Sequence, residues 1–217
     1  MDKIILDIDK SIINIFSSNQ INEILNYLNL DNYYELKQIH SDIVHILDDN
    51  YINKSKGDAL ITNIPNKPII IKVADCIPIL IYDKENKVIS LVHSGWKGTL
   101  QDITTKTIKI MIEKFNSKVS NIKVYIYPSI RNCHFEVEQD VYSLFKDKII
   151  NTDKYTIQKG IKYYIDLQSI IKDKLKEIGI NNIIDTDICT YCNHNIYHSY
   201  RYNHTNKRNI LLAMIKE

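Results

Sequence analysis

The sequence predicts an α+β fold: a single layered domain over residues 1–217, expected as a four-layer α/β/β/α sandwich with mixed sheets. Three observations predict it. Residues 68–74, 77–82 and 88–92 are nearly continuous apolar runs rich in β-branched side chains, the pattern of strands buried on both faces. Strand and helix patterns alternate along the rest of the chain. No internal repeat and no Gly/Ser/Pro-rich linker divides it, so one domain is expected.

In chain order the first element is a short amphipathic helix at 21–28, with Ile21, Ile24, Leu25 and Leu28 on one face and residues 17–19 as cap candidates. The polar stretch Asp83-Lys84-Glu85-Asn86-Lys87 then has the length of a hairpin loop. Pairing Tyr82 with Val88 sets Cys76 opposite Ser94 and His93 opposite Ile77, whereas a one-residue slip sets Cys76 opposite His93. In both registers the thiol and the imidazole stand at the same end of adjacent strands, with Cβ atoms roughly 4.5–8 Å apart. Ser94-Gly95-Trp96-Lys97-Gly98-Thr99 follows as a tight strand-to-helix turn whose free N–H groups suit an anion. Its helix carries Leu100, Ile103, Ile110 and Met111, with Thr99 as the expected N-cap and Asp102 in the first turn. Downstream, the patterns predict a strand at 124–126, a helix at 137–145, a strand at 163–165, and a helix at 167–178 stopped by Gly179. A strand at 183–188 and a closing helix at 209–215 complete the expected order.

Composition narrows the function. The 217 residues are 44% hydrophobic, which excludes long-chain disorder. Lys plus Arg number 28 against 26 Asp plus Glu, for a net charge of +2 without a basic stripe, so nucleic acid is not the expected partner. No apolar window is long enough to span a membrane, and Asp2, Lys3, Asp7, Asp9 and Lys10 replace the basic and apolar regions of a signal peptide. The 4 cysteines are too sparse for a disulfide scaffold, and a cytoplasmic location with free thiols is expected. Heavy use of Ile, Asn, Lys and 15 Tyr beside only 5 Gly, 4 Pro and 1 Trp indicates A/T-biased codon drift. Each Gly, Pro, Trp, Cys or His that survives such drift is correspondingly informative.

Cys76 and His93 present a soft thiolate and a neutral imidazole at one mouth, the donors zinc prefers, and Asp75 stands next to them. A cysteine that merely packs is the alternative. A third ligand is sought in Gln38-Ile39-His40-Ser41, at His40. The pair Cys189 and Cys192, followed by His194, His198 and His204, looks like half a zinc knuckle, with redox chemistry or packing as alternatives. His134-Phe135-Glu136 ahead of that pair has the H-x-E and C-x-x-C of zinc deaminases but lacks the proline, since Ile188 stands there. Cys133 and His134 are read as loop or cavity-wall residues and His45 as a surface side chain.

Gln38-Ile39-His40-Ser41, Ala74-Asp75-Cys76-Ile77-Pro78, His93-Ser94-Gly95-Trp96-Lys97-Gly98, Cys189-Thr190 and Ser199-Tyr200-Arg201 resemble, in order and spacing, the motifs of the laccase-domain or polyphenol oxidase family, whose members are regarded as purine nucleoside phosphorylases. The resemblance runs from about Leu36 to Ala213. It implies a zinc held by His40, Cys76 and His93 with an open fourth position, the catalytic pattern. It also implies phosphorolysis of adenosine and inosine to free base and ribose 1-phosphate, with adenosine deamination and methylthioadenosine cleavage as further activities. In that reading Cys76, His93 and Asp75 are catalytic, while Gly95, Lys97 and Arg201 receive phosphate or substrate. Two departures stand out: Lys97 replaces the family's usual Arg, losing a bidentate phosphate grip, and residues 127–136 replace a glycine-rich motif.

Three other functions remain open at this point. A cysteine hydrolase would use Cys76 as nucleophile and His93 as base. A copper-dependent oxidase would load copper on the same donors, although 7 histidines without a His-x-His pair cannot supply a multicopper set. A zinc-stabilised interaction module would centre on Cys189 and Cys192. The expected partners are a purine nucleoside and phosphate, with no nucleic acid or membrane, on a monomer or weak homodimer.

Overall fold

A computed structural model describes residues 3–6 and 8–217. Met1, Asp2 and Asp7, part of the charged N-terminal segment, lie outside the described residues. The strands are β1 (Lys3–Ile4), β2 (Ile12–Ser17), β3 (Tyr34–Glu35), β4 (Val44–Ile46), β5 (Ala59–Thr62), β6 (Ile69–Val73), β7 (Ile77–Asp83), β8 (Val88–Ser94), β9 (Ile122–Ile126), β10 (Glu136–Val137), β11 (Thr156–Lys159), β12 (Lys162–Ile165), β13 (Ile183–Asp185) and β14 (Asn209–Ile215). The helices are α1 (Ile21–Leu28), α2 (Trp96–Leu100), α3 (Ile103–Phe115), α4 (Gln139–Lys148), α5 (Leu167–Glu177) and α6 (Tyr200–Asn203).

Two mixed sheets pack face to face. One has the order β1-β2-β14-β6-β3 and the other β13-β9-β7-β8-β5-β4, with a small antiparallel sheet β10-β12-β11 beside them. Alternation along each strand assigns its two faces. Phe16, Ile71 and Leu211 from the first sheet meet Leu80, Leu91 and Tyr127 from the second in a core between the sheets. On the outer side of the first sheet, Ile70, Ile210 and Leu212 pack on Ile24 and Leu25 of α1. On the outer side of the second, Ile79, Val92 and Val124 pack on Ile108 of α3 and Ile171 of α5. These are the four layers α/β/β/α, each sheet covered on both faces.

The largest departure from the sequence pattern is at the C-terminus: 209–215 is not a helix but the strand β14, at the centre of the first sheet between β2 and β6. All seven of its residues are buried. A continuous apolar run satisfies a strand covered on both faces as well as a buried helix, and periodicity alone does not separate them. The strands β2 and β5 also carry no sequence expectation, while 183–188 pairs only as far as Asp185 and the helix expected at 137–145 starts at Gln139. Gln20, rather than residues 17–19, caps α1. Gly179 ends the helix before it with φ +87°, a conformation glycine reaches without strain.

The β7–β8 hairpin is present in a register different from both expected ones. Ile77 pairs with Ser94, Pro78 with His93 and Asp83 with Val88. Buried Asp83 accepts backbone N–H groups from Glu85 at 3.0 Å and Asn86 at 3.3 Å, an Asx turn that keeps Asp83 in the strand. Cys76 therefore falls one residue past the last pair, alongside Gly95. The helix after His93 also begins early: Gly95 caps α2, Thr99 lies inside it, and Asp102, at φ 58°, separates α2 from α3.

Four connections pass between the two main sheets, and three of them set the site: 36–43 from β3 to β4, 74–76 from β6 to β7, and 186–208 from β13 to β14. No helix among the described residues is long and apolar enough to cross a membrane. Leu211→Ala, at 0% exposure in the inter-sheet core, is expected to cost about 2–5 kcal/mol in urea unfolding. Ile161→Ala, at 80% exposure, should stay within about 0.5 kcal/mol, and equal losses would refute the burial of Leu211 between the sheets.

Candidate functional site

His40, Cys76 and His93 converge, their ligand atoms all within 4.8 Å of one another. His40 sits on the first crossover with φ 58°, Cys76 ends the second, and His93 lies near the C-terminal end of β8. The Gln38 side chain bonds both backbone groups of Lys72 at 2.9 Å, which docks the His40 loop on β6 as a surrogate strand partner. His93 is buried, Cys76 half-buried and His40 exposed, so the cluster opens to solvent at His40.

Asp58, unrecognised in the sequence, organises this cluster. Its fully buried carboxylate accepts the backbone N–H groups of Ile39 at 3.1 Å, His40 at 3.0 Å and Ser41 at 2.6 Å, together with the Ser41 hydroxyl at 2.6 Å. It also meets His93 Nδ1 at 2.8 Å. One carboxylate thus fixes the His40 loop and, through Nδ1, the His93 ring, leaving Nε2 of His93 for the cluster. The only sequence signal was an acid directly before the buried strand β5, a pattern without periodicity.

Gly95 is required by close approach. A Cβ built there would stand 3.0 Å from Cys76 Sγ and 3.1 Å from His40 Cδ2, so any side chain displaces the donors. One thiol and two imidazoles facing a gap kept clear by glycine fit a metal ion with an open coordination position.

Asp75 has a different geometry from the free acid or base expected. It is buried, at φ 84°, and its two oxygens accept the Thr190 hydroxyl and the Arg201 backbone N–H, each at 2.7 Å. Its carbonyl accepts Ile130 N–H at 2.9 Å. Arg201 in turn donates through its guanidinium to the carbonyls of His134 and Glu136, both at 3.0 Å, over the Phe135 ring. Asp75 and Arg201 thereby bind the second and third crossovers together.

A cavity of about 700 Å³ opens over these groups, lined by His40, Asp75, Cys76, His93, Gly95 and Arg201 among others. Its apolar wall includes Trp96, Ile130, Phe135 and Leu167, and Lys54, Lys72 and Arg208 contribute positive charge. Lys97 is exposed, with Nζ 5.5 Å over the Trp96 ring, and is not part of the lining. His45 is half-buried, its ring against Gly57 and its Nε2 2.9 Å from the Lys56 carbonyl.

Charge in the cluster is coupled. Burial opposes ionisation of Cys76, but the His93 charge and hydrogen bonds with His40 and His93 outweigh it and bring the thiol down to about 6. Burial likewise opposes imidazolium at His93, yet Cys76 and Asp58 hold it up to about 9. Asp58 is desolvated too, and its bonds with His93 and Ser41 still lower it to about 2. In the metal-free protein the thiolate's stabilising contribution is lost as pH falls through about 6, and the imidazolium's as pH rises through about 9. The pair therefore persists between those limits. Alkylation of Cys76 in chelator-treated protein should reach half its maximal rate near pH 6 instead of about 8.5, as followed by peptide mass spectrometry. Asp58→Asn should weaken metal binding about 10–100-fold in a chelator competition; unchanged affinity in a folded variant would remove Asp58 from this role.

The family described as multi-copper polyphenol oxidoreductase laccase matches residues 17–216. A Clostridium acetobutylicum protein named purine nucleoside phosphorylase is 38% identical over 175 residues, covering 81% of this chain and 72% of that protein. A Borreliella burgdorferi protein of the same name is 35% identical over 170 residues, covering 76% and 72%. The crystal structure of Bacillus licheniformis hypothetical protein YfiH has the same fold, with a TM-score of 0.91 at 21% identity over 99% of this chain and 96% of that one. YlmD from Geobacillus stearothermophilus gives 0.86 at 17% identity over 96% and 93%. From the match over 17–216, with the fold shared by the solved structures, this chain belongs to the multi-copper polyphenol oxidoreductase laccase family.

Proposed function

We propose that the protein is a zinc-dependent purine nucleoside phosphorylase, cleaving inosine and adenosine with phosphate to the free base and ribose 1-phosphate, with methylthioadenosine as a further substrate. The observation that carries this is the convergence of His40, Cys76 and His93 in the wall of a cavity of about 700 Å³, a volume suited to a small-molecule ligand. His40, Cys76 and His93 would hold the metal, which supplies Lewis acidity at its open position when bound.

The chain's own residues divide the remaining work. Trp96, Phe135 and Leu167 offer the purine an apolar and aromatic surface. Arg201 and Arg208 donate to backbone carbonyls instead of carboxylates, so their charge is available to phosphate oxygens. Gly95 gives the nucleophile close access to the cluster. Asp75 acts as a positioning residue, because both its oxygens are engaged with Thr190 and Arg201. Lys97 lies outside the lining and is assigned no contact in this reading.

A second reading rests on a specific observation. Cys76, His93 and Asp58 form a thiolate–imidazolium pair with an orienting carboxylate, the arrangement of a cysteine nucleophile. Oxidase chemistry has less support. The other described Cys/His cluster holds three thiols and a single imidazole, a donor set unlike the histidine-rich group of a multicopper oxidase.

The deciding assay supplies inosine or adenosine with and without phosphate and measures metal in the same sample. Hypoxanthine or adenine should appear only with phosphate, and Cys76→Ala should lose metal and turnover together. Base release without phosphate, by a metal-stripped enzyme that alkylation inactivates, would establish the hydrolase instead; ammonia release from adenosine reports deamination. Arg201→Ala should lower kcat/KM for phosphate about tenfold or more, the value of a charge-assisted hydrogen bond of about 1.5–3 kcal/mol.

A further inference from the structure

A second cluster lies on the segment that carries the cavity-lining Ile130 and Phe135. Cys133 and His134 belong to the segment after β9, and Cys189 and Cys192 to the crossover after β13. Their four ligand atoms lie within 4.8 Å of one another. Cys133 Sγ and Cys192 Sγ are 3.8 Å apart, and His134 Nδ1 stands 3.2 Å from the first and 3.4 Å from the second.

Those separations match the edges of a metal-centred tetrahedron. With Zn–S of about 2.3 Å and Zn–N of about 2.0–2.1 Å, neighbouring sulfurs fall about 3.8 Å apart and sulfur and nitrogen about 3.6 Å. A disulfide between Cys133 and Cys192 would need sulfurs at about 2.05 Å and would leave Cys189 and His134 unused. The surroundings also suit a knuckle. The Cys189 sulfur accepts backbone hydrogen bonds from Cys192 and Arg131, and Asn193 N–H bonds the Cys189 carbonyl at 3.1 Å. The His134 ring is stacked on Tyr191 at 3.9 Å, which sets its plane. Cys133 and Cys192 are exposed, so an ion has a path in from solvent.

We infer that Cys133, His134, Cys189 and Cys192 form a structural Cys3His zinc site, separate from the three-donor cluster at Cys76. Four protein ligands close the coordination sphere, the structural pattern, whereas three leave it open. The histidines nearest the pair in sequence do not take part. His194 Nδ1 is 3.0 Å from the Tyr191 carbonyl with its ring stacked on Tyr202, and His198 Nε2 is 3.0 Å from the Ser18 carbonyl. Nor is it a deaminase arrangement, because Glu136 accepts from the Tyr164 hydroxyl at 2.9 Å and is not in the cluster. The ion would staple the segment carrying Ile130 and Phe135 to the loop carrying Thr190, and so brace one wall of the cavity.

The test is metal content and cobalt spectroscopy on the full chain, independent of turnover. Protein purified under reducing conditions should hold about two zinc ions, Cys76→Ala about one, and Cys192→Ser about one. Cobalt added to metal-stripped Cys76→Ala should give the thiolate-to-cobalt charge-transfer band and intense visible bands of a tetrahedral thiolate site. This second measurement keeps the knuckle intact and serves if Cys192→Ser fails to fold. Folded Cys76→Ala that takes up neither zinc nor cobalt, or a Cys133–Cys192 disulfide in protein so purified, would overturn the assignment.

Discussion

The Asp58 carboxylate is the constraint on which the site depends. A fully buried charge is costly unless its hydrogen-bonding capacity is met, and here it is met by the backbone of 39–41, the Ser41 hydroxyl and the His93 ring. The donors come from a crossover and from a strand of the second sheet, so satisfying one anion forces two distant stretches of chain together. His40 and His93 are brought into reach of Cys76 by the same event. The positive φ of His40, uncommon for a residue with a side chain, persists because its N–H is held by that carboxylate.

Asp75 repeats the device one residue before Cys76. Its oxygens collect Thr190 and Arg201 from the long third crossover, as Asp58 collects the first. The architecture explains why two such anchors are needed. A sandwich of two sheets buries its strands well but leaves the passages between sheets without ladder partners, and their backbone groups must be satisfied by side chains. Buried Asp58 and Asp75 and half-buried Gln38 meet that need, and they gather functional groups at one end of the sandwich.

Much of this was legible because it is local. The hairpin of β7 and β8 follows from two apolar runs and a polar loop, and proximity of Cys76 and His93 survived a register error since either end of the slip leaves them neighbours. The register itself was not legible, because Asp83 could be read as loop when only its burial and its Asx turn place it in the strand. The strand β14 was misread for the opposite reason: Asn209–Ile215 contains no polar punctuation to betray its period. Asp58, and Cys133 as a partner of Cys189 and Cys192, were not legible because they are products of topology; His134 stood beside that pair in the sequence only through a deaminase-like spacing that the structure does not follow. The resemblance to a known family supplied His40, which no spacing argument had fixed.

The three crossovers also separate what the site holds constant from what it can vary. The three donors sit beside strand ends or on a loop pinned by a buried acid, where glycine at 95 tolerates no added atom. Phe135, Ile130 and Arg208 lie on connecting segments at the cavity wall. In this chain the rim can change by substitution on those segments without touching the donors, whereas a side chain at position 95 would press on Cys76 and His40. Which molecule the cavity admits is thus set apart, in this fold, from how the three donors are held.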